Sequence, residues 1–126
     1  MRIKDCRLKE VLSCDKYENI VEVAKTLKEK RLRHIIVIDK KKPIGIISTT
    51  DICNRLVAEN KNPMKVKAEE IMTAPILTKD LDENLTQAYI EMIKENIFSV
   101  PITENGKLKG TLELKDAMEK LVKAGE

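Results

Sequence analysis

From Tyr17 to Arg31 the chain reads YENIVEVAKTLKEKR. Ile20, Val23, Ala24 and Leu27 recur at helical spacing with charge between them, the signature of a helix with one buried face. Two short β-branched runs follow, HIIVID and PIGIIS, split by Lys40-Lys41-Lys42. They predict a hairpin. TTDICNRLVAEN then predicts a second helix. The same order returns further on. LTQAYIEMIKEN offers Leu85, Ala88, Tyr89 and Met92; SVPIT and LKGTLE flank the turn ENGK; LKDAMEKLVKAG closes the run. Asn105-Gly106 is a strong two-residue turn. Pro101 inside a strand run predicts an edge position or a later strand start.

A shift of sixty-five positions superposes the two halves without a gap. Leu12 meets Leu77, Asp15 meets Asp80, Glu18-Asn19 meets Glu83-Asn84, Gly45 meets Gly110, and Asp51 meets Asp116. The chain is therefore a tandem repeat, read as residues 1–60, a linker at 61–67 with Pro63 and no apolar period, and residues 68–126. Asp15 and Asp80 fall near the start of the first helix of each half. A half of about sixty residues buries a marginal core alone. The expected architecture is α+β, two repeats packed with pseudo-twofold symmetry.

Composition narrows the function. With 24 basic and 21 acidic residues the net charge is +3, a balance that argues against nucleic acid, as does the scarcity of aromatic stacking platforms. Abundant Lys and Glu suit a thermophile. Three cysteines, none in a CxxC pair, read as reduced thiols of a cytoplasmic protein. They and the single His34 supply too few ligands for a metal site. No apolar run reaches membrane-spanning length, and no signal region is evident. One histidine, no glycine-rich phosphate loop and no nucleophile–base spacing argue against an enzyme.

The candidate chemistry lies in GIISTTD, Gly45 to Asp51, and its counterpart GTLELKD, Gly110 to Asp116. A strand leaving the glycine enters a helix near Ser48, Thr49 and Thr50, with the acid in the first turn. Such a place attracts anions, and a carboxylate there accepts from a ribose diol. Ser/Thr followed by Asp is also an ordinary helix cap. Both readings stand on the sequence. The second half replaces Ser48 by Glu113, and a carboxylate repels phosphate unless a cation intervenes.

HIIVID…GIISTTD and SVPITENGKLKGTLELKD, with EEIMTAPILTKDLDENLTQA leading the second half, resemble a tandem pair of cystathionine β-synthase (CBS) domains, a Bateman module. The resemblance covers nearly the whole chain. It implies two β-α-β-β-α units and a regulatory module that binds AMP, ADP, ATP or S-adenosylmethionine and signals through conformation or oligomeric state. No other cofactor is implied. Asp51 would hold the ribose, with Ser48, Thr49 and Thr50 near the phosphate, Gly45 at the turn, and Arg33, His34 and Ile35 at the hairpin start. Thr73, Pro75 and Thr78 fall near the adenine-facing loop. Asp116 would serve a second, weaker cleft because of Glu113. Phe98 is a candidate to stack on adenine or to fill the core. A homodimer and an effector protein are the implied partners, through apolar stripes in IVEVAKTL and DAMEKLVKAG. The competing reading is a ligand-free protein-interaction module of the same family.

Overall fold

The computed structural model describes residues 1–125. The chain forms two compact units, one of Leu12–Ile76 and one of Met1–Val11 with the chain from Leu77 onward. Each is built on a three-stranded sheet with helices, the α+β architecture expected.

In the first unit β1 (Ser13–Asp15) pairs parallel to β2 (His34–Asp39), which pairs antiparallel to β3 (Lys42–Ser48). Helix α1 (Ile20–Lys30) connects β1 to β2, and α2 (Thr49–Ile52) follows β3. Asn19 caps α1, its Oδ1 accepting from the Val21 amide at 2.9 Å. The Asp15 carboxylate, one turn earlier, accepts from the Tyr17 amide, so the cap is the Asn of the repeated Glu-Asn pair. Ile20, Val23 and Leu27 of α1 are buried, as the spacing predicts, against Ile35, Val37 and Ile47 of the sheet.

The second unit repeats this with β4 (Lys79–Asp80), α4 (Leu85–Lys94), β5 (Ser99–Glu104), β6 (Lys107–Glu113) and α5 (Leu114–Ala124). Even the irregularities recur. The β2–β3 register shifts between Val37 and Ile38, and the β5–β6 register between Ile102 and Thr103. Both hairpins turn on two residues with positive φ: Lys40 (51°) and Lys41 (70°) in one, Asn105 (53°) and Gly106 (81°) in the other. Two-residue hairpin turns with both φ positive match the twist of the flanking strands.

Two expectations are overturned. Pro101 lies in β5, the central strand of its sheet. It is tolerated because β4 pairs only with Ile102 and Thr103. Its counterpart Ile36 donates its amide to Leu12, a bond that proline cannot make. The helix expected from TTDICNRLVAEN changes winding: α2 passes into a π turn, Cys53–Val57, closed by the Ala58 amide on the Cys53 carbonyl at 2.9 Å. In this winding Leu56 is buried and the Arg55 side chain is half-exposed.

Short segments complete each core. Val66, Ala68 and Ile71, the last two in α3 (Ala68–Ile71), are buried in the first unit. Ile20 donates its amide to Val66, Ala68 to Glu18 and Glu69 to Lys16. In the second unit Leu85 donates to Met1, Ile3 to Glu83 and Lys4 to Leu81, with Ile3 buried. Val66 to Ile71, ahead of β4, therefore finish the first sheet's core, although Ala68 and Ile71 fall in the second repeat as read from sequence, and the N-terminus finishes the second.

Candidate functional site

Both repeated glycines have the same job. A Cβ on Gly45 would stand 2.6 Å from Met72 Sδ and 3.0 Å from the Thr73 carbonyl. One on Gly110 would stand 2.8 Å from the Lys9 carbonyl. Their absence lets a crossing segment lie on the last strand of each sheet. Thr73 exchanges backbone hydrogen bonds with Ile46 at 2.8 and 3.0 Å, and Lys9 does so with Thr111 at 3.0 and 2.9 Å. Thr73 and Lys9 are thus structural counterparts.

Around Asp51 the sequence candidates converge. Ser48 and Asp51 form a reciprocal capping box: Ser48 Oγ accepts from the Asp51 amide at 3.0 Å, and Asp51 Oδ2 accepts from the Ser48 amide at 2.9 Å. Thr73 Oγ1 donates to Asp51 Oδ1 at 3.1 Å. The capping reading of STTD is therefore realised in the structure. Thr49 and Thr50 are exposed on α2. The Thr49 amide donates to the Arg33 carbonyl at 2.9 Å, and His34 pairs with Ser48 across the sheet. Arg33 and His34 are exposed, whereas Ile35 is buried. Pro75 is exposed just beyond Thr73.

Arg55 belongs with this group although sequence reasoning passed over it. Its Nη1 donates to the Met72 carbonyl at 2.8 Å and to Ile71 at 3.4 Å. Its Nε lies 3.9 Å from Asp51 Oδ1. The available signal was the repeated acid–base pair at i, i+4, Asp51–Arg55 and Asp116–Lys120.

Thr78 and Asp116 fall in the second unit. There the acid is arranged differently. Asp116 sits in the first turn of α5, half-buried, and among the described residues no hydrogen bond or ion pair engages its carboxylate. Beside it opens a groove of about 670 Å³ lined by Arg7, Leu8, Lys9, Glu10, Lys115 and Asp116. An adjoining one of about 390 Å³ is lined by Cys6, Arg7, Asp116, Glu119, Lys120 and Lys123. Burial pushes the Cys6 thiol up, and the Lys120 cation opposes this. Glu113, in the place of Ser48, makes no cap bond. It accepts instead from Lys9 Nζ at 3.1 Å. Lys9 is thus the cation that offsets the carboxylate. The cationic lining went unseen because the N-terminal segment reaches this sheet from the far end of the chain.

Phe98 is 70% exposed, so it is not core; its carbonyl accepts from the Leu114 amide at 2.8 Å beside the start of α5. Among the described residues no group of three or more His, Cys, Asp or Glu side chains could hold a metal, and no helix is long and apolar enough to cross a membrane.

A family model, the CBS domain, matches residues 3–58 and again 68–123. An uncharacterised protein of Methanopyrus kandleri is 31% identical over 113 residues, covering 88% of this chain and 58% of that protein. The L-aspartate semialdehyde sulfurtransferase of Methanocaldococcus jannaschii is 34% identical over 104 residues, 82% of this chain but 19% of that protein. The chain thus spans less than two thirds of either relative. Among solved structures, the CBS domain pair of protein MJ0100, in complex with 5′-methylthioadenosine and S-adenosyl-L-methionine, is 29% identical, with 100% of this chain and 98% of that one covered and a TM-score of 0.69. Repeat, fold and family model agree, and the chain belongs to the CBS domain family as a tandem CBS pair.

Proposed function

We propose that this CBS pair is a regulatory, non-catalytic module that senses an adenosine-containing ligand: AMP, ADP, ATP or S-adenosylmethionine. The observation that carries the reading is Asp116, an unengaged acid in the first turn of a helix, facing a groove whose lining includes Arg7 and Lys115 beside Glu10 and the Glu113-paired Lys9. A carboxylate with free lone pairs suits a ribose diol, and the cations suit an anionic tail. Phe98, exposed near the start of α5, offers a face for the base. Likeness to a CBS pair solved with two adenosyl compounds supports the ligand class.

We rank the two acids in the opposite order to the sequence expectation. Glu113 is neutralised by Lys9, so it does not bar an anion from Asp116. Asp51, with Gly45, Ser48, Thr49, Thr50, Arg33, His34, Ile35, Thr73 and Pro75 around it, is the second candidate, because its oxygens already have partners. Thr78 belongs with the second repeat. Binding would shift the packing of the module or of its copies, to be read by an effector protein. Ile90 and Ile93 on α4, and Met118 and Val122 on α5, are exposed apolar residues suited to a homodimer contact.

A thermal-shift series with AMP, ADP, ATP, S-adenosylmethionine and 5′-methylthioadenosine at matched ionic strength tests this. A ligand at 100 times its Kd adds about 2.7 kcal/mol. Calorimetry should then show Asp116→Asn weakening the responding ligand at least about tenfold, the loss of a charged acceptor. No response to any of the five refutes the ligand class, and an unchanged affinity in Asp116→Asn refutes Asp116 as the acid that holds it.

A further inference from the structure

We propose that Asp51 is a latch held by its own chain, so that a ligand hydroxyl competes there with the Thr73 hydroxyl, and that the exchange loosens the hold on the segment Met72–Ile76. The inference rests on the adenosyl reading above and concerns how that ligand acts. Asp51 Oδ2 is committed to the Ser48 amide, and Oδ1 accepts from the Thr73 hydroxyl at 3.1 Å with the Arg55 guanidinium 3.9 Å away. The Asp51 side chain is 13% exposed. Each carboxylate oxygen has two lone-pair sites; the Thr73 hydroxyl takes one on Oδ1 and the Arg55 guanidinium stands 3.9 Å away, so a sugar hydroxyl competes with both. Thr73 is not a bystander: its backbone is paired with Ile46, and the preceding carbonyls of Ile71 and Met72 are gripped by Arg55. The latch therefore joins the acid, the π turn and the crossing segment in one hydrogen-bonded ring. Three residues beyond Thr73 the first unit ends, and Leu77 begins the second. Thr73 therefore lies close to one of the two places where the chain passes between the units.

The second repeat is the internal control. Lys9, the counterpart of Thr73, turns to Glu113 and not to Asp116, and the counterpart of Arg55 is Lys120, which lines a groove. Binding at Asp116 displaces no such bond. The two sites of one fold then differ in kind: one takes ligand directly, the other in competition with its own Thr73 hydroxyl.

The test uses the whole chain carrying Asp116→Asn, which leaves Asp51 as the acid under study, with AMP and 5′-methylthioadenosine as probes. Adding Thr73→Val removes the competing hydroxyl, and affinity should rise about fivefold, the worth of one hydrogen bond. Thr73→Ser should keep the parent affinity. Amide exchange at Ile46 and Thr73, followed by NMR, should quicken on saturation of the parent, and should already be quick without probe in Thr73→Val. Unchanged affinity and exchange in Thr73→Val, while Asp51→Asn abolishes binding, overturns the latch and leaves the adenosyl reading intact. Binding that survives both Asp51→Asn and Asp116→Asn, or its absence from the unmodified chain, overturns that reading and the exchange with it.

Discussion

Substituting alanine at the two repeated glycines should separate a rigid obstacle from a soft one. Neither glycine needs a left-handed backbone, because Gly106 alone has positive φ among them. An added methyl therefore gains the chain-entropy benefit of about 0.4–1 kcal/mol that accompanies Gly→Ala at a compatible site. Against that stands the crossing segment. At Gly110 the new Cβ meets the Lys9 carbonyl at 2.8 Å and Leu8 Cβ at 3.2 Å. Lys9 is fixed by two backbone hydrogen bonds to Thr111, so the obstacle yields only if both stretch. Overpacking of this kind costs about 1–3 kcal/mol, and each bond lost adds about 0.5–1.5 kcal/mol. We expect Gly110→Ala to destabilise the protein by about 1–3 kcal/mol net. At Gly45 the nearest atom is Met72 Sδ at 2.6 Å, the movable end of a flexible side chain, and the Thr73 carbonyl at 3.0 Å need give by only a few tenths of an ångström. Gly45→Ala should cost less than about 1 kcal/mol. With no tryptophan in the chain, urea unfolding followed by far-UV circular dichroism is the suitable assay. Equal losses in the two variants, or a larger loss at Gly45, would refute the argument from what each methyl meets.

The first hairpin carries lysines where its twin carries Asn-Gly, although both positions have positive φ in each. Replacing Lys40-Lys41 by Asn-Gly should stabilise the chain by about 1 kcal/mol, since a left-handed residue costs about 1–2 kcal/mol unless it is Gly or a tolerant Asn, offset in part by glycine's unfolded freedom; an unmoved urea midpoint would count against it. Cys14 is buried, and burial pushes its thiol from 9.0 up to about 12, with Glu18 and Asp15 adding to the effect. The unfolded thiol ionises first, so this contribution to stability is whole below pH 9.0 and is lost as pH climbs towards about 12. The decline is at most about 1.4 kcal/mol per pH unit, and Cys14→Ala should flatten it in unfolding curves taken across that range.

The sequence made the repeat, its hairpins and most of its core legible because those rest on local period. Ile20, Val23 and Leu27, like Leu85, Ala88 and Met92, are buried where the spacing places them. The Ser48–Asp51 cap was readable for the same reason, as its partners are three residues apart. What stayed hidden depends on pairs far apart in the chain. Ile3, Val66, Ala68 and Ile71 are isolated apolar residues among charged ones, and a sixty-five-residue offset is identical whichever core they enter. The Lys9–Glu113 pair follows from that crossing. The π turn was invisible because apolar spacing over so few residues does not separate it from an α turn. Phe98, expected in the core or on adenine, is exposed because it occupies the place of Arg33, the residue before each sheet's central strand.

Duplication makes the asymmetry between the acids interpretable. In both repeats a segment crosses the last strand over a glycine and delivers one side chain towards the start of the following helix. In the first, that side chain is a neutral hydroxyl, and it meets the acid together with a capping serine. In the second it is an ammonium, and it meets the carboxylate that stands in the serine's place. The paired change conserves local neutrality: Lys9 without Glu113 would place one more cation beside Arg7 and Lys115, and Glu113 without Lys9 would oppose any anion. The consequence for the acids is opposite. Neutral donors hydrogen-bond Asp51, with Arg55 3.9 Å away, whereas the Lys9–Glu113 pair makes no hydrogen bond or ion pair with Asp116. The exchange of Ser48 for Glu113 and of Thr73 for Lys9, beside the different winding of the two helices, leaves one acid engaged by its own chain and the other unengaged.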